Sequence, residues 1–243
     1  MIFGPAHGSV AGMTASPSAP AVWLHGAGLS SQTWDGKAQG LCLDLPGHNG
    51  RPRVATPTIA GYAAALAPAL PARFALVGHS LGGMIALHLA ATMPDRVTRL
   101  VFAESAYTMQ ARWIDRKGAK FASWLTAKLG PRGTAKLAAM GEKGAAKQAY
   151  LTEMSVMDPG GLNDAMQAAH GFDGRDLVDR VRCPTLIVTG RGNPRTHPQS
   201  LDLARRLPHA THRMLEGGHM LHKDAPGPFY DLIHAFLAPE PAP

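Results

Sequence analysis

Ser80 stands in the run Gly78-His79-Ser80-Leu81-Gly82-Gly83. A serine hydroxyl attacks a carbonyl only when a neighbouring base removes its proton. His219 is the candidate base. It sits late in the chain, in Glu216-Gly217-Gly218-His219-Met220, where paired glycines allow a tight turn. His222 lies three residues on and is the competing choice. Attack on a carbonyl builds an oxyanion, which needs two fixed N–H donors. The residue after the nucleophile supplies one, here Leu81. The loop His25-Gly26-Ala27-Gly28 can supply the other, from Ala27. The chain has twelve histidines. His25 and His79 are expected to pack beside the site, and most others read as surface or loop residues.

Those groups need a scaffold that brings them to one edge. Strand-like apolar runs occur at Ala21–Leu24, Leu41–Leu45, Phe74–Gly78, Thr98–Ala103, Thr185–Thr189 and His212–Leu215. They are apolar on both faces, as strands covered on both sides should be. Helical patterns alternate with them at Thr58–Leu70, Gly82–Met93, Pro198–Leu207 and Pro228–Leu237. This order predicts an α/β fold, a mostly parallel sheet with helices on both faces. Ser80 then falls in a sharp strand-to-helix turn, which strains the serine and requires small residues around it. The alternative is a tight turn whose serine caps the helix. The first twenty residues read as a short edge hairpin, and the Pro-rich tail after Leu237 as frayed.

Between Tyr107 and Phe172 the alternation stops. The composition is helical, broken by Gly130-Pro131, Gly141, Gly144 and Pro159-Gly160-Gly161. The expected organisation is a core of residues 1–106 and 173–243 with an inserted helical cap over 107–172. From Thr108 to Lys147 there are nine basic residues against Asp115 and Glu142, and the rest of the chain is balanced. The whole formal charge of +7 therefore lies in the insertion. Such a face is either simply solvated or a surface for an acidic carrier, an anionic substrate or acidic lipid. No nucleic-acid motif accompanies it. Trp113, Phe121, Trp124, Met140, Tyr150, Met154, Met157, Met166 and Phe172 also lie there, and their spacing reads as core more than as pocket wall.

Together, the Ser80 and His219 runs, His25-Gly26-Ala27-Gly28 and Asp44-Leu45-Pro46-Gly47-His48 resemble the α/β-hydrolase superfamily, and more closely its capped, esterase-like branch. The resemblance spans nearly the whole chain outside the cap, where only the position is similar. It implies a serine hydrolase acting on carboxylic esters, without a metal or organic cofactor. It also implies a third triad member a few residues after the Thr185–Thr189 strand, as Gly-x-x-Asp. Here that stretch reads Gly190-Arg191-Gly192-Asn193. An amide can orient a histidine but cannot balance an imidazolium with a full charge. Glu104, at the end of the Thr98–Ala103 strand, is the second candidate. Phe102-Ala103-Glu104-Ser105 looks like the acid position of some haloalkane dehalogenases and of Renilla-type luciferase, the former having an aspartate nucleophile. Asn193 then becomes a partner behind the acid. Asp202 and Asp224 are weaker options, and Glu104 could instead be a solvated strand-end carboxylate.

Hydrophobic residues make up 45 % of the chain, as in ordinary globular proteins. No apolar run approaches the ~20 residues of a membrane helix. Met1 to Val10 lacks the features of a signal peptide, so a cytoplasmic protein is expected. Cys42 and Cys183 match no metal spacing and read as buried free thiols. Rival readings keep the machinery but change the reaction: thioesterase, acyltransferase, lactonase or C–C hydrolase. Another is a sensor that binds and barely turns over, motivated by Asn193.

Overall fold

In the computed structural model, residues 19–110 and 113–239 are described. The N-terminal hairpin expected from the sequence lies outside them, as does most of the C-terminal tail. Six strands form one parallel sheet: β1 (Ala21–Leu24), β2 (Leu41–Leu43), β3 (Phe74–His79), β4 (Val97–Ala103), β5 (Thr185–Gly190) and β6 (Ala210–Leu215). Their order is β2-β1-β3-β4-β5-β6. The chain runs outward from β1 to β2, then crosses back to lay β3 on the other side of β1. This reversal opens a crevice at the carboxyl ends of β1 and β3, where open α/β sheets bind ligands.

Alternating side chains divide the sheet between two cores. Val22, Leu24, Phe74, Leu76, Leu100, Phe102 and Ile187 face one side. They pack on α1 (Ile59–Leu66), α2 (Leu81–Thr92), α6 (Arg175–Val178) and α7 (His197–Arg206). Trp23, Val77, Val101, Leu186 and Val188 face the other side, against Phe229, Tyr230 and Ile233 of α9 (Pro226–Leu237). Full burial on both faces explains the continuous apolar runs of the inner strands. The expectation fails at β6. It is an edge strand, and its side chains alternate between half-buried and exposed over the first four residues. The run from Leu41 stops pairing at Leu43, and α1 ends at Leu66, followed by a 3₁₀ turn containing Pro68.

Between β4 and β5 the chain forms α3 (Trp113–Ala139), α4 (Gly144–Thr152) and α5 (Pro159–His170). Gly130 breaks α3 with φ 61°, just before Pro131. The two stems of this insertion meet in a bridge between Thr108 and Asp173. Its own small core includes Ala135, Ala146, Tyr150, Met154 and Leu162, and it packs on Leu29 and Met220 of the sheet-edge loops. Glu153 accepts the Ser30 N–H and hydroxyl at 2.9 and 2.8 Å. Arg53 grips Asp164 with two bonds of 2.7 and 2.8 Å. The insertion is therefore seated on the loops that follow β1, β2 and β6.

The expected burial within it needs correcting. Tyr150, Met154 and Phe172 are buried, but Phe121, Trp124 and Met140 are 61, 54 and 80 % exposed. Phe121 and Trp124 pair with each other, ring centroids 5.6 Å apart, on the face that carries Lys120 and Lys128. Trp113's side chain lies outside the described set. Cys42 and Cys183 are free and half-buried, so only the first part of that expectation holds. Among the described residues no helix is long and apolar enough to cross a membrane.

Candidate active site

β3 delivers Ser80 to the crevice. Ser80 has φ 54° and ψ −117°, a conformation that L residues avoid. Bonds to its own N–H and C=O hold it there. Its N–H donates to Ala103 C=O at 3.0 Å, and its C=O accepts from the Gly83 N–H at 2.9 Å and the Ser105 hydroxyl at 2.7 Å. The turn needs glycine on both sides. A Cβ on Gly78 would come within 2.3 Å of Gly82 O, and one on Gly82 within 2.1 Å of Leu24 O. Ser80 precedes α2 but its side chain makes no cap bond. The helix-cap reading of this serine therefore fails, and its hydroxyl is free for other work.

The loop after β1 faces this turn. Gly28 N–H is taken by His48 Nε2 at 3.2 Å, and Leu29 N–H by Gly26 O at 3.3 Å. The N–H groups of Ala27 and Leu81 have no protein acceptor among the described residues. Leu81 N–H also opens α2, so the helix dipole favours negative charge beside it.

His219 follows β6. Its Nδ1 lies 3.2 Å from Glu104 Oε2. Glu104 is fully buried at the end of β4 and has φ 46°. Its Oε1 accepts the Gly190 N–H, and its Oε2 accepts the Asn193 amide. The Thr196 hydroxyl lies 3.4 Å from Oε2. A carboxylate with this many donors is fixed in place. Asn193 Nδ2 also sits 3.3 Å from His219 Nδ1. Both atoms are donors once Nδ1 gives its proton to Glu104, so the Asn193 amide serves the carboxylate and not the ring. With Nδ1–H committed, Nε2 is left as the proton acceptor. Such a set can take a proton from a hydroxyl and stabilise the imidazolium that results.

The other histidines organise the loops. His79, next to Ser80, has Nε2 2.8 Å from the His219 carbonyl, so the turn that carries Ser80 holds the His219 backbone. His25 receives the Leu45 N–H on Nε2 at 3.0 Å and gives Nδ1–H to Gly26 O at 2.8 Å, joining the loops after β1 and β2. His79 thus lies against His219, and His25 against the loop that carries Ala27. Most of the remaining histidines read as surface or loop residues from the sequence, yet His48 is fully buried, as is His222, the competing choice of base. His48 braces Gly28. His222, in α8 (Leu221–Asp224), bonds Thr33 at 3.0 Å and stacks edge-on against His79. Single apolar-run patterns do not reveal them, because each is buried by contacts far away in sequence.

Burial pushes the His25 and His79 pKa values down to about 3, with a neighbouring histidine adding to each. Burial also lowers His48 and His222. Each is neutral in the fold but takes a proton when unfolded, near pH 6.5. For His25 and His79 the contribution to stability is thus complete above pH 6.5 and is lost as pH falls towards about 3. At pH 5 the loss is about 2 kcal/mol for each of His25 and His79. Glu142 and Glu153, raised by burial, work in the opposite direction at lower pH and offset it only in part. Melting temperature measured from pH 7.5 to 5 should fall steeply. A flat profile would show that these histidines are not buried in neutral form.

A cleft of about 910 Å³ opens between the insertion and the core, lined by Ser30, Asn49, Arg51, Glu153, Met157 and Asp158 among others. Ser80 and His219 do not line it. Met154 packs on Gly28, at the inner end of this cleft.

The sequence model of the alpha/beta hydrolase family matches residues 21–232. Among curated proteins, the chain is 28 % identical over 235 residues to the pimeloyl-[acyl-carrier protein] methyl ester esterase of Neisseria meningitidis, covering 88 % of each chain. It is 29 % identical over 273 residues to an esterase of Mycobacterium tuberculosis, covering 95 % of this chain and 87 % of that one. Among solved structures, the enol-lactonase of Burkholderia xenovorans superposes with a TM-score of 0.77 at 20 % identity, covering 90 % of this chain and 91 % of that one. A parallel sheet of six strands, matched from end to end by the family model, leads to one conclusion: the chain belongs to the alpha/beta hydrolase family.

Proposed function

We infer that this chain hydrolyses carboxylic esters through an acyl-enzyme on Ser80. His219 takes the Ser80 proton, and Glu104 balances the imidazolium. The N–H groups of Ala27 and Leu81 bind the oxyanion. His219 then returns the proton to the leaving alcohol, and water repeats the sequence on the acyl-enzyme. The observation that carries this is the Glu104–His219 contact of 3.2 Å, which gives the base its charged partner although position 193 is an amide. The similarity to named esterases supports the same reaction class. Residues 107–172 act as a cap, since they rest on the loops that carry the oxyanion donors and the base. The test is hydrolysis of p-nitrophenyl esters of graded chain length, with a fluorophosphonate to label the nucleophile. Label on the peptide containing Ser80, and loss of labelling with loss of turnover, is expected.

A second reading concerns the substrate. The Neisseria relative acts on an ester carried by an acyl-carrier protein, and the excess positive charge of this chain lies in its insertion. Lys120, Lys128, Arg132 and Lys136 are exposed there. An acidic carrier docking on that face would gain association rate from them. Reversing Lys120 and Lys128 to glutamate should raise KM for a carrier-linked ester about 10-fold or more and leave p-nitrophenyl acetate unaffected. Equal effects on both substrates would exclude a carrier-docking role.

A further inference from the structure

We propose that Glu142, in the turn between α3 and α4, is a positioning residue for His219, so that the base is fully competent only with the insertion seated. This rests on the serine hydrolase reading above.

Besides Asp115, Glu142 is the only carboxylate in a segment crowded with lysines. Among the described residues it pairs with none of those lysines, turning instead towards the core. A side chain added at Gly218 would place its Cβ 3.2 Å from Glu142 Oε2 and 3.3 Å from Asp224 Oδ2. The Glu142 carboxylate therefore lies against Gly218, the residue that leads into His219.

Neighbouring peptide groups of this loop are thus held from separate parts of the fold. Asp224, in α8, accepts the Gly218 N–H at 2.7 Å. Glu142, from the insertion, lies against Gly218. His79, from β3, holds the His219 carbonyl at 2.8 Å. The insertion supplies one of these supports, and it can do so only when seated.

The charged and titratable groups facing Glu142 are Asp224 from α8, Glu104 from the end of β4, Tyr150 from α4, and His219 itself. Two of them are carboxylates, and burial together with Asp224 and Glu104 raises the Glu142 pKa. A carboxylate placed against two others costs free energy unless something opposes it. The imidazolium formed on His219 during acylation is a group that opposes it. A second negative charge beside the ring favours proton uptake from Ser80, adding to the effect of Glu104.

The experiment compares wild type, Glu142→Gln and Glu142→Ala in the full chain. It reads the rate of Ser80 fluorophosphonylation against pH, and kcat and KM on p-nitrophenyl acetate, alongside melting temperature. Glutamine keeps the shape and an acceptor but removes the charge. It should move the acid limb of both profiles down by about half to one pH unit and lower kcat roughly 3- to 10-fold, with KM unchanged. Alanine should lower kcat further, because the backbone support goes as well. Profiles superimposable on wild type in both variants would overturn the proposal. So would a loss in Glu142→Ala that follows melting temperature with no movement of the acid limb. Failure of the wild type to label at Ser80 would instead overturn the hydrolase reading on which the proposal stands.

Discussion

Ser80→Ala should lower kcat for ester hydrolysis by about 10⁶-fold while the protein keeps its fold. The loss is large because the proposed acyl-enzyme forms on the Ser80 hydroxyl, which alanine lacks. Water attacking without His219-activated Oγ must rely on the oxyanion donors and binding alone. The fold should survive because the Ser80 hydroxyl makes no cap bond to α2. The bonds that hold the turn run through its backbone, to Ala103, Gly83 and Ser105. Alanine meets the same left-handed strain as serine, so melting temperature should move by no more than a few degrees. Turnover comparable to wild type in Ser80→Ala would remove Ser80 from the mechanism.

Glu104→Gln should cost roughly 10³- to 10⁴-fold in kcat, as the loss of the acid does in other serine triads. Glutamine fits the same space and can still accept the Gly190 N–H. What disappears is the charge facing His219 Nδ1, and with it the preferred tautomer. Asn193 makes this prediction sharper. Its side chain already reaches to 3.3 Å from Nδ1. Adding Asn193→Asp to Glu104→Gln returns a carboxylate to the ring, with the glutamine amide as its donor. That double variant should recover at least 10-fold of the lost rate, since paired residues sharing one network do not act additively. Asn193→Ala alone should cost far less than Glu104→Gln, because the carboxylate keeps Gly190 and His219. If Glu104→Gln behaves like wild type, the acid lies elsewhere and the sensor reading gains ground.

The insertion offers a contrast with the sheet. Its helices break at Gly130-Pro131, as the glycine and proline positions predict. Yet its exposed Phe121 and Trp124 cannot be told from core residues by spacing, because a helical stripe looks the same whether it meets a neighbour or solvent. Only packing against Leu29 and Met220 decides which face of the insertion turns inward.

Local sequence determined much of this protein. The inner strands declare themselves by unbroken apolar runs, since both of their faces are covered. The Ser80 turn declares itself by glycines at positions where a Cβ would strike backbone. The positions of Glu104, directly after β4, and of His219, in the loop after β6, were legible because residues that follow a parallel strand fall at the carboxyl edge of the sheet. Tertiary structure alone decided the rest. Glu104 and Asn193 are 89 residues apart, and their contact depends on β4 lying next to β5. The burial of His48 and His222 depends on loops from distant strands closing over them. Glu142, within a basic helical segment, reads as a surface charge, and its approach to His219 follows from how the insertion docks. A side chain's environment is legible in sequence when its own element imposes it, and is decided by the fold when the contacts come from elements that only the sheet order brings together.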